Sequence, residues 1–273
     1  MNLALFRHVL RQYGARLLVV TVALVAWGML MPVIYAAFGS EMKALFEQFP
    51  QFGQFANFGG GNLFTLPGSI AVGYIHPIAI ALLSVFAIIF PLSAVAGERQ
   101  RGTLEVVLAR PISRRSYYLT LFVSAVLFIA ILIAASLVGT LVAATLTNTI
   151  GELDVANIPA LWLNGVVFYA AIAAISFAAS VSFDRIGPAA GITLAIVLVS
   201  YFMQIVGSLW PSRNGETGAD ILQPYSLFHY LDPNAILTEG LQALDLLVLL
   251  VVGAIAVAFA LVVFPRRDLA APA

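Results

Sequence analysis

Long apolar stretches dominate the chain, and most charged side chains lie in the segments between them. A helix needs about 20 mostly apolar residues to cross the hydrocarbon core of a bilayer. Six stretches free of Asp, Glu, Lys and Arg reach that length after their turn-rich ends are trimmed. They predict six transmembrane helices at Leu17–Phe38, Ile75–Ala96, Tyr118–Val142, Leu161–Phe183, Pro188–Trp210 and Leu246–Phe264.

The segment before the first span predicts a separate amphipathic helix. Within residues 1–16, apolar side chains recur at spacings of three and four, while Arg7 and Arg11 lie on another face. Such a pattern is typical of a helix that lies in the cytoplasmic interface of a membrane. Simple anchoring explains it, and contact with a partner protein is the alternative.

Two longer segments between spans are expected to be outer loops. Residues 39–69 contain Pro50, Pro67 and three consecutive glycines at 59–61, which break helices. Phenylalanines at every third position from 46 to 58 suit an aromatic anchor at the interface, or alternatively the lining of an exit. For residues 211–244 we expect a short re-entrant or interfacial helix.

Composition excludes a soluble domain. Hydrophobic residues make up 62% of the chain and charged residues 10%, against roughly 45–50% and about 25% in soluble proteins. Alternation typical of strands is missing, so the fold class is an all-α integral membrane protein. The absence of cysteine excludes disulfides, thiolate metal sites and a cysteine nucleophile.

The distribution of basic residues predicts the orientation. Of the 13 Lys and Arg residues, only Lys43 and Arg213 fall between spans on one side. Because basic residues concentrate in cytoplasmic loops, the side that holds the remaining 11, and with it both termini, is predicted to be cytoplasmic. Those residues are Arg7, Arg11, Arg16, Arg99, Arg101, Arg110, Arg114, Arg115, Arg185, Arg266 and Arg267.

Several activities are excluded or disfavoured by missing residues. Lys43 is the only lysine, and no Gly-x-x-x-x-Gly-Lys loop for nucleotide phosphates exists. The predicted spans lack the ionisable residues that typify proton-coupled carriers. The histidines, His8, His76 and His229, share no ligand spacing. We therefore expect no enzyme activity, no metal and no cofactor bound by this chain, and no nucleic-acid partner.

The segment Gly97–Arg115, between the second and third spans, holds seven of the chain's 26 charges. Gly102 can end the helix that leaves the second span, Thr103 can begin a short helix, and Pro111 can end it. Ser113 is placed to cap the third span. The segment therefore predicts a short cytoplasmic helix with charged flanks.

One face of this short helix is apolar, because Leu104, Val107 and Leu108 follow helical spacing. A helix of this kind can dock in a groove of a partner protein. Alternatively it anchors the chain to lipid headgroups through Arg114 and Arg115. The residues alone leave both alternatives open.

Residues 96–105 and 108–114 resemble the signature of the permeases of six-helix, type-2 ABC exporters, approximately G-E-x-x-x-G-T-L-E-x-L-L-A-x-P-[IV]-S-R. The six spans and the final Arg266–Leu269 agree with that family in outline. The resemblance implies a permease that pairs with a second permease and with separate ATPase subunits, which bind ATP and Mg. It assigns ATPase coupling to Glu98, Arg99, Gly102, Thr103, Leu104, Glu105, Val107, Leu108, Arg110 and Pro111.

Few polar side chains in the spans are candidates for lining a substrate pathway. Asn164, Tyr201 and Gln204 are the candidates, and Asn164 and Gln204 are the best of them because an amide in lipid needs a partner. The sequence thus predicts one transmembrane permease domain over residues 1–273, in a prokaryotic-type cell membrane. An ATP-independent carrier or channel, or a membrane assembly factor, is the alternative.

Overall fold

A computed structural model describes residues 2–48, 62–109, 111–212 and 217–267. None of these residues forms a strand. The helices are α1 (Leu3–Gln48), α2 (Leu66–Ile75), α3 (Pro77–Gln100), α4 (Leu104–Leu108), α5 (Arg114–Leu146), α6 (Ile158–Ser182), α7 (Ile186–Leu209), α8 (Pro233–Glu239) and α9 (Ala243–Arg266).

Six of these helices are long and apolar enough to cross a membrane, namely α1, α3, α5, α6, α7 and α9. The six predicted spans are therefore confirmed, and so is the all-helical fold class. Helix α4 lies between the second and third spans as predicted. Short 3₁₀ turns and α8 occupy the predicted second outer loop.

The expected boundary between an interfacial helix and the first span is wrong. Helix α1 contains 46 residues without interruption, a length of roughly 69 Å at 1.5 Å per residue. Nothing near residue 16 stops a helix, since Gly14 alone is tolerated there. Val9 and Tyr13 are buried against the other helices, so this first part of α1 packs on protein as well as facing outward.

The expectation of a loop over residues 39–69 is wrong at both ends. Helix α1 continues to Gln48, and α2 begins at Leu66. Pro67 does not prevent α2 because it lies in the first helical turn, where its missing N–H is not needed. The intervening Phe49, Phe52, Phe55 and Phe58 lie outside the described residues, so their role stays a prediction.

Helices α1 and α5 pack closely through two glycines. A Cβ atom on Gly28 would collide with the carbonyl oxygen of Ser136, and one on Gly139 with that of Val25. The Thr140 hydroxyl also donates to the Gly28 carbonyl at 3.2 Å. Small residues permit this approach between helices in lipid.

Aromatic rings fill the core where α1, α3, α5 and α6 meet. Phe90 of α3 has edge-to-face contacts with Tyr13, Phe128 and Phe177, at centroid distances of 4.8, 5.8 and 6.2 Å. Rings arranged in this way add about 0.5–1.5 kcal/mol per pair beyond their burial. Phe90 therefore fixes the middle of the second span relative to three neighbouring helices.

Gly139→Ala should force α1 and α5 apart. We expect it to lower the free energy of unfolding by about 1–3 kcal/mol, the usual cost of overpacking, in a reversible denaturation of the purified protein in micelles. The matched control is Gly191→Ala in α7, where an added Cβ meets nothing within 4 Å. Equal stability of the two variants would contradict the close pairing of α1 with α5.

Candidate coupling site

The C-terminal half of α3 contains two π-helical turns, Val85–Ile89 and Ser93–Gly97, on either side of Pro91. Proline lacks the N–H that a regular helix needs and collides with the preceding turn. Wider π turns accommodate such a residue and frequently occur at functional sites. They leave backbone groups of α3 that bond to other helices.

Neighbouring helices satisfy those backbone groups. The Ser180 hydroxyl of α6 donates to the Pro91 carbonyl and accepts from the Ala96 N–H, both at 2.9 Å. The Tyr117 hydroxyl of α5 donates to the Ala94 carbonyl at 2.9 Å. The end of α3 is thus bonded directly to α5 and α6.

Helix α3 ends at Gln100, and Gly102 turns the chain just after it, which confirms the predicted break. Gly102 has a φ of 70°, a left-handed conformation that glycine adopts without steric cost. The Thr103 N–H donates to the Glu98 carbonyl and the Gly102 N–H to the Arg99 carbonyl, each at 3.0 Å. This pair of bonds is a Schellman motif, which turns the chain sharply into α4.

The Glu98 side chain forms hydrogen bonds across this turn. Its carboxylate accepts from Arg101 at 2.5 Å and from the hydroxyl of Thr103. The Glu98 side chain is only 23% exposed. Glu98 and Thr103 therefore position α4, and their assigned contact with an ATPase stays a prediction.

Arg99 and Gln100 hold the turn between α6 and α7. Arg99 Nη1 donates to the Phe183 carbonyl at 3.2 Å and lies 3.4 Å from the Asp184 carboxylate. Gln100 Oε1 accepts the Ile186 N–H at 3.0 Å, which supplies a partner at the start of α7. The Arg99 side chain is 6% exposed, so its contacts are made within the protein.

The end of α9 lies at the same end of the bundle as Arg99. This is the arginine-rich end, which holds Arg99, Arg101, Arg114 and Arg267. Arg267 pairs with Asp184 at 3.0 Å and donates to the Val181 carbonyl at 3.0 Å. Arg114 donates to the carbonyls of Phe264, Pro265 and Arg267 at 3.3, 3.3 and 2.6 Å. A cation at these carbonyls is favourable because a helix carries negative partial charge at its C-terminus.

Helix α4 packs with the face that its spacing predicts. Leu104 is fully buried, and Val107 and Leu108 pack against the core. Val106, on the opposite side, is 70% exposed. Ser113 caps α5 as predicted, with the Ser116 N–H donating to its hydroxyl at 3.2 Å.

The remaining assigned positions of the segment surround α4. Glu105 is half-buried on α4, and Pro111 is exposed after it. Arg110 lies outside the described residues. The structure thus brings residues 98–103 together in one turn. Leu104, Val107 and Leu108 form the face of α4 that packs against the core.

Two of the three candidate pathway residues form hydrogen bonds between elements at the opposite end of the bundle. Asn164 donates to the Tyr230 carbonyl and Tyr201 to the Ile75 carbonyl, each at 3.2 Å. Gln204 Oε1 is buried without a hydrogen-bond partner among the described residues. None of the hydrogen bonds in that part of the chain joins any two of the three, so their lining role stays a prediction.

A family model described as ABC-2 family transporter protein matches residues 6–269. The chain belongs to the ABC-2 family of transporters. No curated protein matches the chain. The family resemblance inferred from residues 96–114 is confirmed, and it covers almost the whole length. ABC-2 proteins are membrane components of ABC transporters and are not themselves catalytic.

Sequence reasoning about this ABC-2 protein missed three contributors to the site. Spacing alone could have identified Val106, because about 100° per residue places it opposite Leu104, Val107 and Leu108. Ser180 and Gln100 carried no such signal, since their partners lie 84 to 89 residues away in sequence.

Ser180→Ala should destabilise the ABC-2 bundle by about 1–3 kcal/mol, because the buried Ala96 N–H and Pro91 carbonyl lose their partner. Reversible unfolding in micelles measures this, with faster hydrogen exchange expected at Ala96. Ser176→Ala is the control: Ser176 is equally buried but, among the described residues, its hydroxyl bonds the Ile172 carbonyl of its own helix and no other helix. A loss no larger than that of the control would show that Ser180 does not hold α3.

Proposed function

We propose that this ABC-2 protein is the permease subunit of an ATP-driven exporter. It forms the substrate pathway together with a second permease, identical or related, in a prokaryotic-type cell membrane. Separate ATPase subunits bind ATP and Mg and supply the energy. Family membership supports this role, and so does the absence from the sequence of a phosphate-binding Gly-x-x-x-x-Gly-Lys loop.

The observation that carries the proposal is the exposed Val106 on α4, whose opposite face packs against the core. Leu104 anchors α4 in the core, while Val106 is 70% exposed at the arginine-rich end of the bundle. An apolar side chain presented by a short helix suits a groove in a partner protein. The arginine-rich end is the predicted cytoplasmic side, where a soluble ATPase resides.

The hydrogen bonds around α4 support its use in transmitting force. A displacement of α4 acts on the Gly102 turn, and through Arg99 and Gln100 on the turn that joins α6 and α7. Arg267 connects that turn to the end of α9. Closure of the ATPase pair would therefore move several spans at once instead of one loop.

The alternative in which this segment anchors to lipid headgroups is less well supported. It relies on Arg114 and Arg115 being available to lipid phosphates. Arg114 instead donates to three backbone carbonyls at the end of α9. Only Arg115 of this pair is exposed, and one exposed arginine contributes about 1 kcal/mol near an anionic surface.

Val106→Asp should weaken binding of the proposed ATPase subunit by at least about tenfold, since a charge would enter an apolar contact. Co-purification and ATPase assays on the reconstituted complex measure the loss. The matched control is Val155→Asp, at the opposite end of the bundle, where Val155 is 47% exposed.

Both variants should unfold like the wild type, because neither valine is buried. If Val106→Asp retains wild-type ATPase binding and coupled transport, α4 is not the coupling element. If Val155→Asp loses the complex to the same degree, the effect does not depend on the position of α4, and the proposal is equally wrong.

A further inference from the structure

A partly open cleft of about 450 Å³ lies at the arginine-rich end of the bundle. Its walls come from the first turns of α1, the C-terminal half of α3, helix α4 with the residues after it, and the start of α5. This volume is within the range of small-molecule sites, which are mostly apolar with a few polar groups. The lining residues include His8, Tyr13, Phe90, Glu98, Tyr117 and Leu121.

The cleft differs in charge from the surface around it. None of its described lining residues is Lys or Arg, although the surrounding segments are rich in arginine. Its one acidic residue is Glu98. Arg101, which pairs with Glu98, does not line the cleft, and its side chain is 54% exposed.

Aromatic rings lie on the same walls as this carboxylate. Tyr13, Phe90 and Tyr117 line the cleft, and Tyr13 and Phe90 are in edge-to-face contact at 4.8 Å. Aromatic faces attract cations, and a desolvated cation gains most from them. Arg16 already lies over the Tyr13 ring, 5.5 Å from its centroid. The apolar walls, the rings of Phe90 and Tyr117 and the Glu98 carboxylate together suit a molecule with an apolar body and a positive charge.

We propose that this cleft binds amphipathic organic cations, with the charge toward Glu98 and the apolar body between α1, α3 and α5. The inference rests on the proposed export function for one consequence only, which is that such cations are the cargo class. A cation beside Glu98 competes with Arg101 for the carboxylate that closes the Gly102 turn. Occupancy of the cleft therefore changes the support of α4.

The test is equilibrium binding of tetraphenylphosphonium to the purified full-length protein in neutral-lipid nanodiscs, with empty discs subtracted. Tetraphenylborate has the same shape with the opposite charge and serves as the matched ligand. We expect saturable tetraphenylphosphonium binding at least about tenfold tighter than that of tetraphenylborate. No ATPase is present, so the result is independent of whether the coupling proposal holds.

Two tryptophan variants of α1 locate the site. Ala4 is exposed and lines the cleft, so Ala4→Trp should fill it and weaken tetraphenylphosphonium binding about tenfold. Ala15 is exposed on the same helix and does not line the cleft, so Ala15→Trp should bind like the wild type. Glu98→Gln should remove the preference for the cation over tetraphenylborate.

Three results would overturn the proposal. Tetraphenylborate binding as tightly as the cation would remove the charge selectivity. Undiminished binding to Ala4→Trp, or an equal loss in Ala15→Trp, would place the bound cation outside the cleft. A wild-type preference for the cation in Glu98→Gln would show that this carboxylate is not its partner.

Discussion

The structure depends on how the backbone around Pro91 forms hydrogen bonds in a bilayer. A spanning segment has no water to satisfy its polar groups, so each needs a partner within the protein. Pro91 and the two π turns leave groups that the regular pattern of one helix does not satisfy. Ser180 and Tyr117 satisfy them from α6 and α5. The second span is therefore tied to its neighbours by hydrogen bonds as well as by packing.

This tie places the end of α3 where the Gly102 turn and α4 can form. From there Arg99 and Gln100 reach the turn between α6 and α7, and Glu98 closes the turn into α4. The charges of the segment thus hold the ends of several spans together. Val106, on the outer side of α4, is 70% exposed. The same arrangement leaves the cleft beneath α4 with Glu98 on its wall.

The sequence predicts those features that depend on local residue patterns. Apolar length predicts six spans, Gly102 predicts the end of α3, and Ser113 predicts the cap of α5. The unbroken course of α1 is not predicted, because amphipathic and fully apolar segments can share one helix. The partners of Ser180, Arg99 and Gln100 are equally inaccessible to sequence patterns, since they lie on other helices. Candidate residues such as Asn164 are polar for structural ties as readily as for a pathway.

The central claim is that α4 and the turn between α6 and α7 move as one body. Since the chain has no cysteine, cysteines introduced at exposed Ala109 and at exposed Arg185 allow one spin label to be attached at each of these two positions of the same chain. Their distance distribution is measured by pulsed electron spin resonance in the isolated permease and in the ATPase complex with and without ATP. The account predicts one narrow distribution that stays unchanged on ATP binding. A broad distribution, or a shift when ATP binds, would contradict it.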